Sequence, residues 1–198
     1  MKNENHLYIN GQKIEIHADK LQEIRHALGV RESFSITENK KGEKIAHIGK
    51  YEFLVLEKSG DTVSLILKKL YKENVNFGSN NDFRGSNVQK ICREFAAEIE
   101  AIVGEDNIVE HIVDLTSDDG LKDYGTVSEK VSLLTTTLYR RYVDVLDIDR
   151  LQKYYWLVTP YSTPRHEDNQ WVKCVSPRGY FNGDATTTTA SACVRFVS

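Results

Sequence analysis

A chain of 198 residues fits one domain, or one domain with a small appendage, and is long enough to bury a core without disulfide or metal staples. With 40% hydrophobic and 28% charged residues, 12 Gly and only 3 Pro, it is not a disordered, collagen-like or low-complexity sequence. Its 26 basic against 29 acidic residues give a net charge of −3, which argues against nucleic-acid backbone binding as the main activity. No apolar run approaches the ~18 residues of a membrane span, and no apolar stretch follows Met1-Lys2-Asn3-Glu4-Asn5. The expectation is therefore a soluble protein made without a signal peptide, cytoplasmic or virion-associated after assembly, with neither nucleic acid nor membrane as partner.

Residues 1–29 read as a small hairpin-helix appendage. Leu7-Tyr8-Ile9 and Lys13-Ile14-Glu15-Ile16 flank Asn10-Gly11, a type I′ hairpin signal. Asp19 can cap a helix with Leu21, Ile24 and Leu28 on one face and Gly29 as its stop. The unit has too few apolar residues to stand alone, so its stripe is expected to dock on another copy and form a homo-oligomer. Residues 30–43, polar and charged, read as a linker. From residue 44 strands take over: Ile45 to Ile48, Tyr51 to Leu56 and, after the turn Lys58-Ser59-Gly60-Asp61, Val63 to Leu67.

Residues 72–85 read as an Asn- and Gly-rich loop. Ser86 then caps the clearest helix, with Val88, Ile91, Cys92, Phe95, Ile99 and Ile102 on one face and Gly104 closing it. A strand is expected over residues 108–115, an acidic turn over 116–120 and a short strand at 131–134. Thr135 then opens a helix carrying Leu138, Tyr139, Tyr142, Val143 and Leu146. The final residues read as strands and turns only: 154–158, 171–175, 179–182 and 193–197. Helices early and short strands late give an α+β class.

Local motifs for chemistry are weak. Asp114-Leu115-Thr116-Ser117-Asp118-Asp119-Gly120 approaches a calcium loop, but Thr116 replaces an oxygen-rich position, Gly120 is one residue late and Gly125 stands where a bidentate Glu belongs. An Asx-capped turn explains the same residues. The six histidines show no H-x-x-x-H spacing, and nucleophile-elbow, P-loop and dinucleotide fingerprints are absent, so no cofactor, metal or catalytic residue is assigned. Cys92, Cys174 and Cys193 are odd in number with no C-x-x-C pair, which points to a reducing compartment. A bridge between Cys174 and Cys193, both on predicted strands, stays open. The last segment stands apart, presenting Tyr161, Arg165, His166, Trp171, Arg178, Tyr180 and Asn182 from loops and strand ends. That is the side-chain set of adaptable recognition surfaces. Trp171, alternating with Lys173 and Val175, also reads as a core residue.

Several stretches together resemble a known family: Val131-Ser132-Leu133-Leu134-Thr135, Leu138-Tyr139-Arg140-Arg141-Tyr142, Trp156-Leu157-Val158-Thr159-Pro160, Val175-Ser176-Pro177-Arg178-Gly179 and Val194-Arg195. The family is an uncharacterised domain of phage and mobile-element proteins of Gram-positive gut bacteria. Its members carry a W-W-L-x-[ST]-P strand, a V-x-x-x-G turn and a terminal G-V-R-P. Upstream, Tyr51 to Leu56, the Asn80-Asn81-Asp82-Phe83-Arg84-Gly85-Ser86 loop and Asp118-Asp119-Gly120 with Tyr124-Gly125 match as well, so the resemblance covers residues 44–198. Here Tyr155-Trp156 replaces the Trp pair, and Ala192-Cys193-Val194-Arg195-Phe196 replaces the last motif.

The resemblance implies a C-type-lectin-like fold, similar to formylglycine-generating enzymes and to the variable proteins of diversity-generating retroelements, whose C-terminal region displays a ligand-binding face. On this reading the chain is a non-catalytic phage or prophage recognition protein that binds a protein or glycan through its C-terminal loops, using the seven residues named above. The alternative is a mobile-element accessory or anti-defence factor that binds and blocks a host protein. An oxidase-like enzyme is the third reading. It is the weakest, because the formylglycine-generating enzymes use two closely spaced thiols late in the fold and this chain offers Cys193 there, with Cys174 nineteen residues earlier.

Overall fold

The computed structural model describes residues 6–9, 12–15, 35–40, 42–146 and 151–197. The chain divides into two units, Met1–Ser33 and Phe34–Ser198. In the first, β1 (His6–Ile9) pairs antiparallel with β2 (Gln12–Glu15), the hairpin that Asn10-Gly11 predicts. The helix expected from Asp19 to Leu28 lies outside the described residues.

The second unit holds thirteen described strands: β3 (Ser35–Glu38), β4 (Lys44–Ile48), β5 (Tyr51–Ser59), β6 (Thr62–Leu67), β7 (Lys72–Asn76), β8 (His111–Asp114), β9 (Thr126–Glu129), β10 (Val131–Ser132), β11 (Tyr155–Pro160), β12 (Trp171–Val175), β13 (Phe181–Ala185), β14 (Thr189–Ala192) and β15 (Arg195–Val197). Two α-helices are described, α1 (Asn87–Val103) and α2 (Thr136–Tyr142). The fold is mixed α+β. One sheet is antiparallel in the order β10-β15-β6-β5-β4-β3, and a second runs β13-β12-β11-β14-β7 with β11 and β14 parallel. β8 and β9 form a separate hairpin.

Both expected loop segments contain strands. Residues 35–38, inside the expected linker 30–43, form the fully exposed edge strand β3. Residues 72–76, inside the expected loop 72–85, form the edge strand β7 against β14. Edge strands keep one side in water and tolerate the polar side chains that hide them from hydrophobic patterning. The second helix is shorter than expected: Thr135 is its N-cap, its Oγ1 accepting from the Leu138 N–H at 3.0 Å, and it ends at Tyr142. The α1 reading holds residue for residue, with Ser86 Oγ accepting from the Gln89 N–H and the Gly104 N–H closing on the Glu100 carbonyl.

Two cores lie on opposite faces of the central strands. Phe53, Leu65, Leu67, Trp156, Val158, Val172, Cys174 and Phe196 join the α1 stripe in the first. Their strand neighbours Leu54, Ile66, Tyr155, Leu157 and Val175 join Tyr139 and Tyr142 of α2 in the second. Successive residues of one strand point to opposite faces, so β6, β11 and most of β12 are buried on both. Cys174 belongs to the first core and Cys193 to the second, and neither thiol is in a disulfide.

Candidate functional site

The site is built on the end of β12. Register pairing sets Trp171 opposite Ala185 and Lys173 opposite Gly183, and the Tyr161 N–H donates to the Trp171 carbonyl at 2.9 Å. A Cβ at Gly183 would come within 3.3 Å of Tyr161 Cδ2 and 4.0 Å of Trp171 Cε3, so the bare backbone there lets both rings settle against the strand. Tyr161, Trp171, Gly183 and Asp168 line a cleft of about 360 Å³. Tyr161 is 51% and Trp171 48% exposed. Trp171 is therefore no core residue. It shares a face with Val175, but the second core stops short of its end of the strand. Beneath the pair, Lys173 Nζ lies 5.1 Å from the Tyr161 ring centroid and 3.1 Å from Asp118 Oδ2, a cation–π contact backed by an ion pair.

The loop that carries Tyr161 is pinned from below by the acidic turn. Asp119 accepts from the hydroxyls of Ser117 at 2.5 Å and Ser162 at 2.6 Å and meets His166 Nδ1 at 3.0 Å. Partial burial pushes the Asp119 carboxyl upward, but these bonds and that of the Leu121 N–H outweigh it and hold the group well below the usual carboxylate range. Asp123 takes the Thr163 hydroxyl at 2.6 Å and pairs with Arg165. The Asp118-Asp119 turn thus works as a clamp through its carboxylates. Among the described residues no group of three or more His, Cys, Asp or Glu could hold a metal ion.

A second clamp comes from the Asn-rich loop. Asn81, fully buried, donates to the carbonyls of Ser162 and Trp171, both at 3.1 Å, and accepts from Tyr124 Oη at 2.6 Å. Its own N–H reaches the Asn169 carbonyl at 2.8 Å. A buried amide with its hydrogen-bonding capacity spent on loop backbone fixes that backbone in one place. Asp168 Oδ1 does the same locally, accepting from the N–H groups of Gln170 and Trp171.

Of the seven residues expected to share one surface, the structure brings together four. Tyr161 and Trp171 meet at Gly183, and Arg165 and His166 stand on the pinned loop beside them. Arg178 and Tyr180 are exposed, but on the turn at the far end of β12. Asn182 pairs with Cys174, and directly paired residues share a face, so it looks to the side opposite Trp171. A five-residue strand and a change of face separate Arg178, Tyr180 and Asn182 from the pair. Sequence reasoning missed Gly183, Lys173 and Asn81. Only Gly183 left a signal, a glycine directly after the expected strand 179–182.

The same geometry bears on acyl-transfer chemistry. Ser162 and His166 both spend their bonds on the Asp119 carboxylate. Burial pushes the Cys174 thiol up to about 12. Compared with family models, curated proteins and solved structures, the chain matches none.

Proposed function

We propose that the protein is a recognition module of C-type-lectin-like fold that binds a glycan or protein ligand through the Tyr161–Trp171 face, as a phage or prophage protein would. The observation that carries this reading is the pair itself: two large rings, half exposed, held over a glycine backbone by two independent sets of hydrogen bonds, one from buried Asn81 and one from Asp119. Exposed aromatic side chains are costly to leave in water unless something covers them. Rigid ones give contact area at small entropic cost, which is why Tyr and Trp dominate binding hot spots. The acceptor oxygens of Asp168 at the cleft edge complete a surface suited to a sugar ring or a planar side chain. The resemblance over residues 44–198 supports the same end of the fold, and the α1-backed sheets with a C-terminal hairpin agree with it at the level of architecture.

The test is binding of the full chain to arrayed bacterial envelope glycans and to purified cell-surface proteins, followed by calorimetry on the best ligand. The double variant Tyr161→Ala with Trp171→Ala is expected to bind at least tenfold more weakly, about 1.4 kcal/mol, with its melting temperature within a few degrees of the parent. Undiminished affinity in the folded variant would move the binding surface to the Asn-rich loop at residues 74–85. Capture of a cytoplasmic host protein alone would instead favour the blocking-factor reading.

A further inference from the structure

Away from the aromatic face, a cavity of about 340 Å³ lies between β8, β10 and the start of α2. Arg195 lines it from β15, where it is held opposite Ser132 on one side and Ile66 on the other. Only 8% of Arg195 is exposed, yet among the described residues its guanidinium makes one hydrogen bond, from Nε to Ser64 Oγ at 3.2 Å. Among the described residues no carboxylate stands within 4.0 Å of it. The acid whose charge it feels is Glu57, already engaged by Arg141 at 2.9 Å and by the Tyr142 hydroxyl at 2.5 Å. A guanidinium does not lose its proton in a protein, so a largely buried charged group with most of its five donors unspent on protein partners lines this cavity.

The acids on the same wall are already committed. Asp118 pairs with Lys173 at 3.1 Å and faces Arg140 at 3.7 Å, and Asp114 Oδ1 takes the N–H and hydroxyl of Thr116. Other wall positions carry hydroxyls. Thr135 uses its oxygen as acceptor for the helix cap, which leaves its hydrogen to give, and Thr159 accepts from the Thr136 N–H. The cavity therefore offers a buried fork of donors, a second arginine and hydroxyl hydrogens, with Asp118 paired to Lys173 and Asp114 held by Thr116.

We propose that this cavity is a binding site for a small oxyanion, the phosphate or carboxylate group of a ligand, with Arg195 as the inner partner and Arg140 at the mouth. The planar fork of an arginine matches two oxygens of either group, and a buried setting strengthens the pairing. The site is separate from the Tyr161–Trp171 face and stands or falls without it.

Thermal melts of the full chain, titrated with inorganic phosphate or with acetate at constant ionic strength balanced by chloride, test the assignment. A saturable rise in melting temperature with one or both anions is expected, and calorimetry should give the same midpoint. Thr137→Trp, at an exposed position on the cavity wall, is expected to weaken that midpoint at least tenfold by plugging the mouth, and Arg195→Met to abolish the response. If Arg195→Met does not fold, Thr137→Trp alone carries the test. Response to phosphate alone assigns a phosphoryl ligand, and response to acetate alone a carboxylate. No saturable response to either anion, or an equal response in Thr137→Trp, overturns the proposal.

Discussion

Truncating Phe95 to Ala tests the packing of α1 on the six-stranded sheet. The side chain is fully buried, with its ring edge-on to Tyr71 at 4.7 Å and to Tyr51 at 5.1 Å between centroids, and tilted against Phe53 at 6.2 Å. Removing a buried phenylalanine costs about 3–5 kcal/mol, the higher values arising where the surroundings cannot close over the hole. Here they are held apart. The hydroxyls of Tyr51 and Tyr71 both donate to Glu98, three residues on and so nearly one turn along the same helix, which anchors the two rings at their far ends. The expected loss is therefore in the upper half of that range, about 4–5 kcal/mol, a large part of the ~5–15 kcal/mol that holds a domain together. Urea unfolding followed by tryptophan fluorescence reads it, since Trp156 is fully buried and reports on the same core. A loss below about 1 kcal/mol, with an unchanged dependence on urea, would show that the stripe does not face the sheet.

Two further predictions concern charge and loop order. His111 is half-buried with Nδ1 unpartnered, and burial first, then the Arg195 charge, draws its pKa down to about 4. Below pH 6.5 the unfolded chain takes up a proton that the folded chain resists, so its contribution to stability is full above pH 6.5 and falls away as pH drops towards 4. Melting temperatures of His111→Gln should accordingly fall less than those of the parent across that window, and parallel curves would refute the assignment. Asp119→Ala removes the acceptor shared by Ser117, Ser162 and His166, and losing about 1 kcal/mol of local hydrogen bonding should speed amide exchange in residues 162–168 about fivefold. Exchange in β11 should not change. Unaltered exchange in the loop would mean that Asn81 and Asp123 hold it without Asp119.

The sequence by itself determined the elements whose signals are local. Ser86 and Gly104 bracket α1 because a cap and a stop act on the backbone within one turn, and the apolar spacing from Val88 to Ile99 names its buried face. The α+β class and the exposure of Tyr161 followed from patterning of the same kind. What only the tertiary structure decided was which partner each residue meets. The pattern of β12 shows Trp171 alternating with Lys173 and Val175, yet whether that face is core or surface at the Trp171 end depends on where the second core stops. The edge strands β3 and β7 carry polar side chains because one side of each stays in water, so nothing local sets them apart from loops. The acidic turn at 116–120 reads alike as an ion loop or a plain turn until Ser162 and His166 arrive from forty residues away to meet Asp119. Arg195 shows the same limit: its charge is plain in the sequence, but that no carboxylate among the described residues stands within 4.0 Å of it is a property of the space around it.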